Sequence, residues 1–396
     1  MSVTLEQRIR ETNERARKMK ENDSFFYLKS VEDLDGARAK VDGREMIMFA
    51  SYNYLGLIKH PKVVGAAKEA LDKYGTGAAG VRFLAGTTDA HAKLEEKIAR
   101  FKNADAAITF SSGYTTNLAA VTTLCRRGDL VIMDKLDHAS IIDGCLLSGA
   151  NHRSFLHNNV ESLENILVRS EKYQNKLIVI DAVYSMDGDI APLPEISRLA
   201  KRYNAKLMVD EAHSIGVIGK TGHGIEEHFG LENAVDIHMG TLSKTIPSIG
   251  GYLAGNQELI NFLKLTARPF IFSASLPPVA AAAAQACFEV IESEPELIVQ
   301  LQKNIKQFRE GLQGMGYNTG NSETAIVPIM VGEEERALDL CKEVNRKGVF
   351  ICPILFPAVP KGTDRLRAHV QASHTSEEIE EALHIFEQAG KNVGII

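Results

Sequence analysis

Lys244 closes the run Gly240-Thr241-Leu242-Ser243-Lys244, 34 residues after Asp210 of Val209-Asp210-Glu211-Ala212-His213. An aspartate that ends an apolar run is costly to bury unless a cation meets it. A protonated pyridine nitrogen is such a cation, and a lysine amine in a hydroxyl-lined turn can hold an aldehyde as a Schiff base. The pair predicts a site for pyridoxal 5'-phosphate (PLP), with Asp210 on the ring nitrogen, Lys244 on the aldehyde and His213 within reach of the ring hydroxyl.

Other residues fit the same cofactor, each beside a duller alternative. Ser111-Ser112-Gly113-Tyr114 lies between a strand and a helix start. Its backbone N–H groups either receive a phosphate, with Thr241 and Ser243 adding hydroxyls, or simply form an N-cap. His138 follows a strand end, where an imidazole either stacks on a flat ring or is structural. Arg365-Leu366-Arg367 alternates like a strand, so one guanidinium either meets a carboxylate or is surface charge. Tyr74-Gly75-Thr76-Gly77-Ala78-Ala79-Gly80 satisfies G-x-G-x-x-G, with Glu95 near the matching acidic spacing. It follows a helical stretch rather than a strand, which argues against a dinucleotide fingerprint and for a cleft-lining loop or a plain turn.

The elements that must position these residues are βα units. Apolar runs at Ala106-Phe110, Leu130-Asp134, Leu177-Asp181, Leu207-Asp210, Asp236-Met239 and Tyr252-Ala254 predict an α/β fold with a mainly parallel sheet. Candidate chemistry falls at strand C-terminal ends, where open α/β sheets bind ligands. Leu276 to Ile291 reads as an alanine-rich core helix. Ser293-Glu294-Pro295-Glu296 interrupts the helical pattern, and two strands (Ala325-Val331, Val349-Leu355) and a helix from Ser376 follow. The expected division is an N-terminal helical and extended arm over 1–55, a large domain over 56–290 and a smaller α+β domain over 291–396.

Composition narrows the function. Among 396 residues, 44% are hydrophobic and 24% charged, as in globular proteins, and a net charge of -6 offers no field for nucleic acid. Five cysteines without CxxC spacing argue against structural zinc or a disulfide framework and for a reducing, cytoplasmic setting. Thr4 to Asp23 is a charged helical stretch unlike a secretory signal, and no apolar run suits a membrane span.

Six motifs in order carry a family resemblance: Ser51-Tyr52-Asn53-Tyr54-Leu55-Gly56-Leu57, Asp137-His138-Ala139-Ser140-Ile141-Ile142-Asp143-Gly144, Tyr184-Ser185-Met186-Asp187-Gly188-Asp189, Asp210-Glu211-Ala212-His213, Thr241-Leu242-Ser243-Lys244 and Phe272-Ser273-Ala274-Ser275-Leu276-Pro277-Pro278. Together they resemble the α-oxoamine synthases, PLP enzymes of fold type I that join an amino acid to an acyl-CoA. The resemblance implies catalytic roles for Lys244, Asp210, His138 and His213. Cofactor contacts would come from Ser112, Gly113, Tyr114, Ser185, Thr241 and Ser273. Substrate contacts would come from Arg367, Asn53, Tyr52 and Arg82, and a homodimer would share its sites, Ser273 and the Asn53 loop serving the neighbouring subunit.

Within the family the signals divide. Val81-Arg82-Phe83, Val359-Pro360-Lys361-Gly362 and Gly390-Lys391-Asn392-Val393-Gly394 are similar to glycine C-acetyltransferases. Ser51-Tyr52-Asn53-Tyr54 and Ser248-Ile249-Gly250-Gly251-Tyr252 are similar to serine palmitoyltransferases. Tyr52 replaces an asparagine common in the family. The amino acid is thus glycine, serine or alanine, and the acyl donor is CoA or an acyl carrier protein. The alternatives are an aminotransferase using the same lysine and aspartate, and a silent subunit that keeps only the fold.

Overall fold

The computed structural model describes residues 3–396, which form two compact units. One comprises residues up to Ser51 together with Lys303–Ile396, and the other spans Tyr52–Gln302.

The larger unit is built on a seven-stranded sheet. Its strands in chain order are β1 (Ala106–Phe110), β2 (Leu130–Asp134), β3 (Asn151–Phe155), β4 (Lys176–Asp181), β5 (Lys206–Asp210), β6 (Ile237–Ser243) and β7 (Pro247–Gly255). Val131, Ile132, Ile178, Val179, Leu207 and Val209 are fully or almost fully buried because helices cover both faces of the sheet. Each such side chain contributes roughly 1.5–3 kcal/mol of burial.

The sheet order is β1-β7-β6-β5-β4-β2-β3. From β2 the chain steps outward to β3, then returns to the other side of β2 and builds β4, β5 and β6 in parallel. The direction of winding therefore switches between β2 and β4, and the crevice at their C-terminal ends is where an α/β sheet binds its ligand. β7 runs antiparallel to both β1 and β6, so the sheet is mixed at one side. The β6–β7 hairpin turns through Lys244, Thr245 and Ile246, which fixes the lysine on the same side as the end of β5.

The smaller unit differs from the expected division. Residues before Ser51 are not a separate arm: strands Val31–Asp35, Arg38–Val41 and Arg44–Met48 form a sheet that continues, in parallel, into Val349–Phe350. That pairing joins residues some three hundred positions apart, so no local pattern announces it. The second boundary falls at Gln302 rather than near 290, inside the helix Glu296–Gly314. A three-stranded antiparallel sheet of Ile326–Gly332, Asp364–His369 and Cys352–Ile354 completes this unit. Arg365 and Arg367 do lie on a strand, as their alternation implies.

Candidate active site

Lys244 Nζ lies 2.8 Å from His213 Nε2. The other ring nitrogen of His213, Nδ1, lies 2.8 Å from the hydroxyl of Tyr54, a fully buried residue. Tyr52 adds an edge-on ring beside His213 and places its face 5.7 Å from the lysine amine. The hairpin delivers the lysine, the segment after β5 delivers the histidine, and the Tyr52–Tyr54 segment frames both.

Asp210 ends β5 and is 5% exposed. Its Oδ2 accepts from Asn117 Nδ2 at 2.8 Å and its Oδ1 from the Ala212 N–H at 2.9 Å. Asn117 also donates to Ser140 Oγ at 2.9 Å, and that hydroxyl lies 2.7 Å from His138 Nδ1. One buried network therefore orients both the acid and the imidazole. Burial pulls the His138 imidazole below its ordinary range, with Lys244 acting the same way against the carboxylates of Asp210 and Asp143. A neutral ring suits stacking on an aromatic cofactor.

Ser112 caps the helix Gly113–Leu124, its Oγ accepting from the Thr115 N–H at 3.1 Å. A Cβ on Gly113 would stand 2.8 Å from Thr241 Oγ1, so glycine here lets the helix N-terminus close on the hydroxyls of β6. Thr241 Oγ1 lies 2.9 Å from Ser243 Oγ and donates to the Gly250 carbonyl at 3.2 Å. Main-chain N–H groups, a helix dipole and two hydroxyls converge there, an arrangement suited to a phosphate.

Ser112, Gly113, Tyr114, His138, Ser185 and Thr241 line one cavity of about 260 Å³ with Asp210, His213 and Lys244. The donor set fits PLP: an acid that lacks only a cation, an amine, a stacking imidazole and an anion cradle. Three lining residues are not legible as site residues from sequence, Asn117, Ser140 and Asp181, and neither is Tyr54, which bonds His213 without lining the cavity. Asp181 ends an apolar strand as Asp210 does, and that signal was available.

The remaining expected residues fall elsewhere. Arg82, expected at the substrate, instead donates to Glu95 at 2.7 Å and to Thr109 Oγ1 at 2.8 Å, in a nearly dry pair. A guanidinium buried against a carboxylate is committed to holding the loop to β1. This corrects the expectation and also explains Glu95. Ser273 Oγ lies 3.3 Å from Ser111 Oγ and is not among the cavity's lining residues. Asn53 is 3% exposed. Arg367 belongs to the smaller unit, where it stands across from Pro328 and Cys352.

His157 ties the loop bearing Ser185 to the end of β2, with Nδ1 3.0 Å from Asp134 Oδ1 and Nε2 2.7 Å from Asp189 Oδ2. Burial alone would lower its pKa, but the bonds and charges of Asp134 and Asp189 override it and raise the group from 6.5 to about 10. A raised folded-state pKa contributes stability in full below the unfolded value and loses it as pH rises through the folded one. His157→Gln should therefore lower Tm most below about pH 6.5 and least above about pH 10. Parallel Tm-versus-pH curves for the two proteins would contradict the assignment.

The fold and cavity define a PLP-dependent enzyme of fold type I. Residues 44–386 match the family described as aminotransferase class I and II. An 8-amino-7-oxononanoate synthase of Thermoanaerobacter pseudethanolicus is 44% identical over 384 residues, covering 97% of each chain. An 8-amino-7-oxononanoate synthase 1 of Bacillus subtilis is 43% identical, covering 96% of each. Among solved structures, a serine palmitoyltransferase from S. paucimobilis with PLP and myriocin bound superposes with a TM-score of 0.96 at 36% identity, covering 99% of this chain and 100% of that one. The 8-amino-7-oxononanoate synthase of Francisella tularensis gives 0.76 at 28%, covering 89% and 99%. The chain belongs to the α-oxoamine synthases of the aminotransferase class I and II family. It is an acyltransferase that uses PLP to condense an amino acid with an acyl thioester to an aminoketone.

Proposed function

We propose that the amino acid is alanine and that the thioester carries an acyl chain ending in a second carboxylate, with loss of CO2 and CoA. The support is the 44% identity to 8-amino-7-oxononanoate synthases over nearly the whole chain. Their named product has an amine-bearing carbon with a methyl group beside a ketone. Cutting between those two carbons returns decarboxylated alanine and a carboxyacyl group. A second reading, serine with a long acyl chain, is favoured by the 0.96 superposition on serine palmitoyltransferase.

The observation that carries the chemistry is the amine of Lys244 held beside His213 in a cavity that also receives Asp210. Bound PLP supplies the electron sink that makes an amino acid's α-hydrogen acidic. With PLP bound, Lys244 Nζ would be the group placed to take that proton. Asp210, fixed by two donors, keeps a proton on the ring nitrogen by charge. His138 would cover one ring face, and His213 would hold a proton at Nε2 for the ring hydroxyl. Tyr52 sets its ring face beside the amine, and Tyr54 holds His213.

A homodimer accompanies this reading. Phe83, Leu84 and Phe272 are 49%, 79% and 72% exposed, and the bridge Val81↔Ala274 gathers them into one apolar patch. A patch of this kind fits a second copy better than solvent. The cytoplasm is the proposed setting, supported by the free state of all five cysteines, four of them buried. No described helix is long and apolar enough to cross a membrane.

The test is a matrix of alanine, serine and glycine against carboxyacyl-CoA, long-chain acyl-CoA and acetyl-CoA, following free thiol. The expected result is thiol release at least about tenfold faster, by kcat/KM, for alanine with the carboxyacyl donor, roughly the discrimination that one or two side-chain contacts provide. Preference for serine with the long chain would install the second reading. Amino transfer to a keto acid with no thiol from any pair would contradict both.

A further inference from the structure

Four carboxyls gather at the crevice where the sheet changes direction. Asp134 ends β2, Asp137 follows it, Asp181 ends β4 and Asp210 ends β5. All four are at least nine-tenths buried. The parallel register of β4 and β5 places Asp181 directly beside Asp210. Two adjacent buried carboxyls are not both ionised without large cost, so a proton stays on one of them.

Hydrogen-bond donors decide which. Asp134 accepts from the Leu136 and Asn158 N–H groups, both at 2.8 Å, and from His157 Nδ1 at 3.0 Å. Asp137 accepts from the Asp134 N–H at 2.9 Å and the Asp181 N–H at 3.0 Å. Asp210 accepts from Asn117 and Ala212, as described. Asp181 differs. The main-chain N–H of His138 approaches its carboxyl, but Oδ1 is buried without a partner, and the residue lines the cofactor cavity. Donors favour the ionised form, and a bare buried oxygen disfavours it.

We propose that Asp181 is held as a neutral carboxylic acid that presents its proton to the cofactor cavity, so that Asp210 alone carries the negative charge for the pyridine ring. The proposal deepens the reading above and rests on PLP occupying this cavity. Asp181 is a positioning residue: it acts by leaving the charge of Asp210 undiluted and by offering a donor where a second carboxylate would repel the cofactor's anionic groups.

The balance of charges around it favours the proton. Burial and then Asp210 push the Asp181 carboxyl well above the usual carboxylate range, with Asp134 in support and Lys244 opposed. Burial, Asp181 and Asp134 raise Asp137 as well. Its two main-chain donors stabilise the anion there, which leaves Asp181 as the group that keeps the proton. Tyr184, pushed up chiefly by burial and by Asp137, stays neutral nearby, and the His157 cation answers Asp134 and Asp189.

Asp181→Asn keeps the shape and the absence of charge, so it separates this role from that of an anion. Infrared spectra of wild-type protein at neutral pH should contain the carbonyl stretch of a protonated carboxylic acid, with and without PLP, and Asp181→Asn should lack it. PLP affinity at neutral pH should differ between the two by less than about twofold. Above the ionisation of Asp181 the wild-type dissociation constant should rise about tenfold per pH unit, the slope of a single linked proton, and the variant should lose that limb. Absence of the acid band from wild type, or persistence of the alkaline limb in Asp181→Asn, overturns the proposal. Should the variant fail to fold, the infrared titration of wild type alone decides. A protein that binds no PLP would sink the reading of the cavity, whereas PLP binding without the acid band would sink only the role of Asp181.

Discussion

Lys244→Ala should lose the visible absorbance band that borohydride bleaches and at least about 10⁴-fold in kcat, the combined loss of a covalent anchor and a general base. Lys244 is the only lysine among the cavity's lining residues, and the β6–β7 hairpin sets its amine 2.8 Å from His213. No described amine stands in reserve there. The contacts proposed for the phosphate, at Ser112, Gly113 and Thr241, do not involve the lysine side chain, so the variant should still bind PLP noncovalently. Spectra before and after borohydride, together with steady-state turnover, check both halves. A bleachable band in Lys244→Ala would place the anchor elsewhere.

Asp210→Asn should fold, keep PLP and lose about 10²- to 10⁴-fold in kcat, the rate equivalent of the 3–5 kcal/mol typical of breaking a buried charge pair. An amide has the same size and keeps one of the two bonds from Asn117 and Ala212, but it cannot keep a proton on a pyridine nitrogen by charge. The effect should therefore fall on kcat, with the PLP dissociation constant little changed. Turnover within a factor of two or three of wild type would remove Asp210 from its role.

Much of this site was visible in the chain. Asp210 and Lys244 stand out because a buried acid at a strand end and a lysine in a hydroxyl-rich turn are each costly without a ligand. The strands Ala106–Phe110 and Leu130–Asp134 coincide with their apolar runs because both are shielded on two faces. β3 left no such trace: it is an edge strand, and four of its five residues are exposed.

Long-range contacts were silent for a different reason. Tyr54 meets His213 across 159 positions, and Asn117 meets Asp210 across 93. In sequence, such polar residues look like any satisfied core group. Arg82 misled for the same cause, since only the fold brings Glu95 and Thr109 against its guanidinium. Asp181 was legible as a strand-end acid. The unpartnered Oδ1, on which the proton count turns, exists only in three dimensions.

PLP should be linked covalently to the amine at position 244. Reducing the PLP-loaded protein with borohydride, digesting it and mapping the modified peptide by mass spectrometry tests it directly. A single phosphopyridoxyl group is expected on Lys244, in the peptide that carries Thr241 and Ser243. Modification of another lysine, or PLP that washes out unreduced, would contradict it.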